Sequence, residues 1–515
     1  MNMQHLKILR FLTVLISSTF LCSSSFGDPL PNSQMSQQVQ MTLESQMTPE
    51  SQWIQAGEEP VSIQETLERA YMQNADLDAE RAKLRATDET VSQANAAWRP
   101  SLSVKGIQGQ AQSYPIGKAT KKKTNSTSHK STTGYTATLS QNIYDGGATE
   151  ANIGVAESNV LAERANLFVT EQTTLLTGIQ DHTSILANAA IVQYRIQSRD
   201  SYKKILERAE ARLEVGEGSR TDVEAARGQY EGAIAALSEA VAALESSKAS
   251  YLQHVGSPPG KLAPANIIVE LPTNYEEALE VSKTHNPTIL QARYQLEAAE
   301  YTVYLQTADL LPTVDINGTV GNTRDGGTGF TSGVISGIRG AQKTTDLGFN
   351  TTVTVPLYQQ GIPNSRIRQA YQTVAQQKVQ LVGAQRAVVQ AVRSAWANLI
   401  AARESLKALL AQVKSQEIAI EGAMEEVSVG TISVVDALEL ELQLITAQIN
   451  LANGQQQLIV AGYQVLQAMG RLTARDMKLN VKYYDPDAYY NEYKNAWIQF
   501  WQGKDWRYVK DGDSR

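Results

Sequence analysis

The sequence predicts an α+β membrane protein built from one helix–strand–strand–long helix–helix unit used twice. Three observations predict it. The second half of the chain repeats the first at a nearly constant spacing, two very long helical stretches run without a proline break, and four short stretches alternate apolar and polar residues. The composition agrees with a folded chain: 42% hydrophobic and 19% charged is too mixed for wholesale disorder. A net charge of −7 gives no electrostatic basis for a nucleic-acid partner. The one cysteine, Cys22, excludes a disulfide framework and a Cys-based zinc site.

Residues 1–27 have the pattern of an export signal. Lys7 and Arg10 precede an apolar stretch from Phe11 to Leu21, and Ser25 and Gly27 fit cleavage before Asp28. That stretch is far short of the roughly 20 residues of a spanning helix. Cys22 invites comparison with a lipoprotein site, but Leu21 fits poorly in front of it. With no long uncharged apolar run elsewhere, the remaining route across a membrane is a β-barrel. Residues 28–59, rich in Gln, Ser and Met, are expected to form a flexible leader.

The two repeats are placed at 60–265 and 266–475. Asn74 matches Asn286, Arg81 matches Arg293 and Pro100 matches Pro312 at an offset of 212. Further on, Tyr144 matches Tyr358, Gly216 matches Gly430, Asp222 matches Asp436 and Gly256 matches Gly470 at an offset of 214. Each repeat opens with a helix, over 63–98 and 275–310. Strands follow at about 101–112 and 134–143, and at about 313–322 and 347–356, separated by loops 113–133 and 325–345 that read as long and solvated. Long helices over 148–214 and 362–428 then span about 100 Å, and Ile153, Val160 and Leu167 recur at the heptad step of a coiled coil. Each long helix stops at a Val-Gly pair, Val215-Gly216 or Val429-Gly430, and a second helix returns over 221–255 or 435–469. Thr221-x-x-Glu224 has the form of a capping box, and Ser433 is placed to cap the other returning helix. The two short helices of a unit, laid end to end, equal one long helix in length.

Four strands of about ten residues have the length of transmembrane strands, though a half-buried soluble hairpin has the same alternation. Four cannot close a barrel, and an open edge in lipid leaves backbone groups unsatisfied. Two copies would give eight strands around a filled lumen, and three copies would give twelve around a passage.

Val215-Gly216 followed by Thr221-Asp222-Val223 and Gln229, with partners Val429-Gly430-Thr431, Asp436-Ala437-Leu438 and Gln443, resembles the TolC family of outer-membrane efflux and secretion channels. So do Trp98-Arg99-Pro100-Ser101-Leu102, Leu310-Leu311-Pro312-Thr313 and Pro356-Leu357-Tyr358-Gln359-Gln360-Gly361, in order over about 62–475. The resemblance implies a homotrimer in the outer membrane of a Gram-negative cell, with a 12-stranded transmembrane β-barrel continuous with a long periplasmic α-helical barrel. It implies a passive exit duct for efflux or type I secretion. The duct opens at its periplasmic tip under a periplasmic adaptor and an inner-membrane transporter, and it uses no cofactor. Outer-membrane lipid is the remaining partner.

By the family pattern the tip holds Gly216, Thr221, Asp222, Gly430, Asp436 and Glu439. Threefold symmetry turns each carboxylate into a ring, and crowded like charges attract cations and raise one another's pKa. Asp436 and Glu439 are the candidate divalent-cation ring. Asp222 and Asp436 also suit helix N-termini, where negative charge is favoured, and the two roles are compatible. The chain departs from the family where Val427 and Ile432 replace the Tyr and Arg that lock the closed tip in its best-known members. Arg220 is the expected substitute, acting on Asp436 or Glu439.

The tail, 476–515, is rich in Tyr and Trp. It is expected to pack around the middle of the helical barrel, with an aromatic belt at the membrane interface as the alternative. Lys121-Lys122-Lys123 is a solvated or lipopolysaccharide-facing loop. An enzyme is not expected: His129, His182, His254 and His285 fall in different elements, and Gly327-x-Gly329 lies between strands instead of opening a helix. The rival function is a periplasmic coiled-coil adaptor or spacer without a membrane barrel, against which the four alternating strands argue. The cargo is not encoded in any motif.

Overall fold

The computed structural model describes residues 60–113, 126–216, 218–331, 334–428, 431–432 and 434–497. The export signal, the leader, Lys121–Lys123, Val429, Gly430, Ser433 and the end of the tail lie outside the described residues. In chain order the elements are α1 (Ile63–Gln73), α2 (Ala75–Asn95), a 3-10 turn (Ala96–Trp98), β1 (Ser101–Ser113), β2 (Ser126–Tyr144), α3 (Ala148–Glu214) and α4 (Arg220–Val255). Then come α5 (Tyr275–His285), α6 (Pro287–Ala308), β3 (Thr313–Thr331), β4 (Val334–Thr354), α7 (Ile362–Ser428), α8 (Val434–Ala468) and α9 (Pro486–Tyr493). Among the described residues no helix is long and apolar enough to cross a membrane.

Both long helices, α3 and α7, run 67 residues. The start of α3 is fixed by the chain before it. Gly147 takes φ 86°, and the Asp145 carboxylate accepts hydrogen bonds from the backbone N–H of Gly147 at 3.1 Å and of Thr149 at 2.8 Å. A carboxylate there satisfies orphan donors at a helix N-terminus.

The opening helices are each broken in two, in place of the one continuous helix the pattern predicts, and the break falls at Asn74 and at Asn286. Both asparagines are extended, with ψ 125° and 121°. Each side-chain oxygen caps the following helix, accepting from Leu77 N at 3.0 Å or Thr288 N at 3.0 Å. Each side-chain amide donates to the end of the returning helix, Asn74 to the His254 carbonyl at 2.8 Å and Asn286 to the Ala468 carbonyl at 2.9 Å. Gly256 and Gly470, at φ 83° and 80°, end those helices. A Cβ on Gly470 would stand 2.8 Å from the Asn286 Cα, so the close approach needs glycine. Local side-chain bonding thus outcompetes helix continuation at Asn74, and at Asn286 the following Pro287, which has no N–H to donate, adds to the same effect.

The packing of the two long helices is unequal. α3 lies along α1, α2 and α4 and also along α6 and α8, whereas α7 shares extended contact with α5, α6 and α8. α7 accordingly buries one stripe, including Ala370, Val374, Val388, Val392, Ala395, Leu399 and Ala402. Val382, Ile400 and Ile418 stay exposed. They recur at steps of about five helical turns, but the exposed Arg386, Arg393, Lys407 and Lys414 lie between them on the same face, so that face is mixed and not an apolar stripe.

The strands form one antiparallel sheet in the order β1-β2-β3-β4. The register aligns side chains in rows. Leu102–Leu139–Gly318–Phe349 and Val104–Ala137–Val320–Leu347 lie on one face. Ser103–Thr138–Thr319–Gly348 and Lys105–Thr136–Gly321–Asp346 lie on the other. The apolar face ends at the row Gln108–Thr133–Arg324–Lys343. Among the described residues nothing covers that face: Leu347 is 83% exposed and Phe349 75%.

The expected loops are mostly strand. β3 and β4 pair through to Thr331 and Val334, and β2 starts at Ser126. The strands are 19 and 21 residues long in the second hairpin, about twice the predicted length. Beyond the apolar rows the ladder is carried by backbone bonds and polar cross-strand pairs. Thr132 donates to Asp325 at 2.7 Å, and Lys130 pairs with Asp325 at 3.1 Å. Ser, Thr and Gly recur through this part, so the sequence shows no alternation there.

The main core lies at mid-height, around Leu67, Leu77, Leu175, Ile179, Tyr463, Leu472 and Met477. His182 is part of this layer: its Nε2 donates to the Ala263 carbonyl at 3.0 Å, so its Nδ1 accepts from the Thr66 hydroxyl at 2.8 Å. Burial lowers its pKa, which favours the neutral ring this bonding needs. The tail starts here and does not stay at the middle. It climbs α1 and then α2: Asn480 N donates to Glu68 and Tyr484 N to the Tyr71 hydroxyl, both on α1, and the Tyr489 hydroxyl to Glu89 on α2. Arg164 pairs with Asp487 at 2.5 Å, and Arg99 donates to the Ala496 carbonyl at 2.6 Å, beside the foot of β1.

Glu171 of α3 ties the turn after α8 to this core by accepting from Ala474 N at 2.6 Å. Burial pushes its carboxyl up to about 7, against the pull of that hydrogen bond and of Arg81 and Arg475. Burial likewise pushes Asp88, under the tail, up to about 6. Both groups hold a proton more tightly folded than unfolded. Their contribution is therefore complete below the unfolded values of 4.5 and 3.8 and is lost as pH rises through about 7 and about 6. Thermal unfolding should shift to higher temperature between pH 8 and pH 6. Glu171→Gln, which keeps an acceptor for Ala474 without a charge, should flatten that rise and gain on the order of 2–3 kcal/mol at pH 8. A pH dependence identical to the parent's would refute the assignment.

Candidate functional site

The expected site is where the two helical hairpins turn, far from the sheet. In the first, α3 ends at Glu214, Val215 follows, and Gly216 takes φ 81°. The N–H of Gly216 donates to the Leu213 carbonyl at 3.1 Å and that of Gly218 to the Arg212 carbonyl at 3.0 Å, closing the helix end. In the second, Thr431 N donates to the Glu426 carbonyl at 2.9 Å, the long bond of a Schellman turn.

The capping box is not the expected Thr221/Glu224 pair. Ser219, extended at φ −100° and ψ 151°, is the cap: its hydroxyl accepts from Asp222 N at 3.1 Å, and Asp222 accepts from Ser219 N at 3.3 Å. Thr221 already lies inside the helix, so its hydroxyl cannot take the cap position. Glu224 instead pairs with Arg227 at 3.3 Å, and Arg227 reaches across the hairpin to Glu210 at 3.0 Å. Asp222 therefore does cap its helix. Ser and Asp three residues apart signal such a box as well as Thr and Glu do, and the sequence contains both pairs.

Asp436 and Glu439 sit on the first two turns of α8, both exposed, while Ala437 and Leu438 between them are buried. Leu438 enters a cluster with Tyr202, Ile205 and Ala209 of α3 and Val223 and Ala226 of α4. This apolar contact holds the second turn to the first hairpin, and no motif pointed to it. Tyr202 has a buried hydroxyl with no partner among the described residues, and burial and the nearby Glu441 raise its pKa. Arg220 is exposed on the first turn of α4, on the other hairpin from Asp436 and Glu439. Val427 and Ile432 are half-buried beside the second turn. The tip thus presents Arg220, Thr221, Asp222, Asp436 and Glu439 outward from an apolar base. Among the described residues no group of three His, Cys, Asp or Glu side chains could hold a metal within one chain.

The family model described as "Outer membrane efflux protein" matches residues 66–256 and 278–471. The Outer membrane efflux protein BepC of Brucella suis biovar 1 is 33% identical over 433 residues, covering 84% of this chain and 90% of BepC. Outer membrane protein TolC of Escherichia coli K12 is 25% identical over 423 residues, covering 81% of this chain and 83% of TolC. Among solved structures, the Campylobacter jejuni CmeC outer membrane channel superposes with a TM-score of 0.68. It does so over 84% of this chain and 89% of that one, at 16% identity.

Ser219→Ala removes the cap without touching the apolar cluster. It should cost about 1 kcal/mol of local helix stability, so limited trypsin digestion after Arg220 should speed up about fivefold. An unchanged cleavage rate would show that the box does not hold the turn.

Proposed function

The chain belongs to the outer membrane efflux protein family, and on that premise we propose that three copies close one wall to form a passive exit duct for efflux or type I secretion. The protein is an outer-membrane channel component with a large periplasmic part and is not an enzyme. One observation carries the proposal: a four-stranded sheet with two unpaired edges and an apolar face that no described residue covers.

From the row of Val314 to that of Arg324 the strand rises ten residues, about 33 Å along its axis. Tilted by about 40°, that is the roughly 25 Å of an outer-membrane apolar band. The apolar face suits lipid, the Ser/Thr/Asn face suits a wet lumen, and the polar hairpins beyond Arg324 and Lys343 extend outside. Pairing β4 of one copy with β1 of the next removes every edge, and three copies give twelve strands. The same rotation brings the exposed face of α7, with Val382, Ile400 and Ile418 among charged residues, toward the free side of the next copy's short helices. An adaptor or spacer without a barrel has no use for such a sheet.

At the far end the tip is the gate, opened by a periplasmic adaptor and an inner-membrane transporter. In the trimer, Asp436 and Glu439 form carboxylate rings that favour cations and can hold a divalent ion. Arg220 replaces the missing lock by pairing with Asp436 or Glu439 of an adjacent copy. Detergent extracts should show a trimer that migrates as such unless heated. In planar bilayers Arg220→Ala should raise the conductance of the closed channel, and Asp436→Asn with Glu439→Gln should weaken block by divalent cations. A detergent-free, monodisperse single copy would defeat the duct. Conductance unchanged in Arg220→Ala would defeat the lock alone.

A further inference from the structure

The tail of this chain ends its described path in an unusual place for a segment that begins in the equatorial core. Between Asn480 and Ala496 it is fixed to α1, α2 and α3 at successive heights. Arg81 lies over the rings of Tyr71 at 4.6 Å and Tyr484 at 5.5 Å, and Arg164 over Tyr490 at 5.1 Å. Asn95 donates to the Lys494 carbonyl at 3.4 Å, and Arg99 to the Ala496 carbonyl. Arg99 then lies 5.4 Å from the Trp497 ring, just before β1 begins.

The height of that endpoint is set by the sheet. Leu102, close after Arg99 in sequence, belongs to the apolar rows, and Trp98 is itself exposed and tied to β2 by Gln141, which donates to its carbonyl at 2.9 Å. Trp497 therefore stands level with the lower edge of the apolar face. The tyrosines of the climbing segment, Tyr484, Tyr489 and Tyr490, are half-buried against the helices, but Trp497 is 67% exposed. An indole held by a guanidinium at the edge of an apolar band has the chemistry of the headgroup layer, where Trp and Arg concentrate. The sequence continues in kind. Residues 497–508 contain Trp497, Phe500, Trp501, Trp506 and Tyr508, with Lys504, Arg507 and Lys510 among and after them. Half of the chain's 6 tryptophans fall in that stretch.

We propose that the C-terminal tail is a strap that runs from the equator to the bilayer and anchors the chain in the periplasm-facing leaflet of the outer membrane through Trp497, held by Arg99. The occupant of this surface is phospholipid: the indole N–H and the Arg99 guanidinium bind the carbonyl and phosphate layer while the ring takes up the acyl boundary. The strap gives the periplasmic helices a second hold on the membrane, independent of the strands. The proposal rests on the sheet being a membrane-spanning wall.

The full chain with Trp53, Trp98, Trp396, Trp501 and Trp506 changed to Phe leaves Trp497 as the sole indole. It is reconstituted in vesicles of phosphatidylethanolamine and phosphatidylglycerol containing phosphatidylcholine brominated near the glycerol end. Trp497 emission should be lost to the brominated lipid and spared by aqueous iodide. Quenching by iodide instead overturns the proposal, because the ring then faces water. Quenching by neither also overturns it, because a neighbouring copy then covers the ring. A companion protein with Trp497→Phe and Phe349→Trp reports on the sheet. If its indole is quenched by the brominated lipid while Trp497 is not, the strap fails and the wall stands. If neither indole is reached by the lipid, the wall fails and takes the strap with it.

Discussion

An antiparallel sheet of four strands leaves a row of backbone N–H and C=O groups open on β1 and another on β4. In water such edges are a liability that solvent can satisfy. In hydrocarbon each open group costs several kcal/mol, and nothing but another strand removes the cost. The apolar face built by Leu102, Val104, Leu139, Phe349 and Leu347 commits the sheet to hydrocarbon. In the proposed duct, neighbouring copies satisfy these edges. In the proposed trimer the helices below the sheet share that requirement, because they hang from a shared wall.

The helical part meets it by length matching. α3 runs the full height in one piece. α1, α2 and α4 cover the same height in pieces that meet at Asn74, where one side chain caps α2 and holds the end of α4. Asn286 repeats the device for α5, α6 and α8. A broken helix that is restitched by hydrogen bonds keeps its axial register while allowing a change of direction at the joint. The joints lie at mid-height, where the main core and the neutral His182–Thr66 pair stiffen the layer. The halves above and below can then differ in curvature without losing a backbone bond.

The long helices were legible to the residue because two physical signals coincide there. No proline falls beyond the first turn of either helix, and each run stops at a Val-Gly pair, whose glycine takes positive φ at Gly216. The apolar rows of the sheet were legible because period-2 alternation is a burial signal. The same signal explains the failures. Above Arg324 and Lys343 the alternation stops, so strand and loop look alike in sequence. At Asn74 the helical pattern continues on both sides and the asparagine's reach to a helix remote in the chain decides the break, whereas at Asn286 the following Pro287 also disfavours continuation and was a readable signal. At the tip two overlapping capping boxes competed, and backbone conformation at Ser219 chose between them. The Leu438–Tyr202 contact joins segments with no sequence relation and left no trace to read.

Three features of the single chain are incomplete in the same sense. The sheet has an unpaired edge on each side, α7 exposes Val382, Ile400 and Ile418 among charged residues, and the tip carries one copy of each carboxylate. A single head-to-tail rotation that brings β4 against the next copy's β1 also brings α7 toward the next copy's short helices. It also gathers Asp436 and Glu439 around an axis. Separate defects that one operation repairs are not independent accidents of folding. In the proposed trimer they belong to one heterologous interface, made of backbone groups in the sheet, of the exposed face of α7 along the middle and of charge at the tip. The strength of that interface falls from top to bottom in the same order. Ladder hydrogen bonds in lipid have no competitor, helix packing has water as an alternative, and exposed ion pairs contribute about 1 kcal/mol or less. In the proposed duct, an assembly graded in this way opens at its weakest end first, which is the tip.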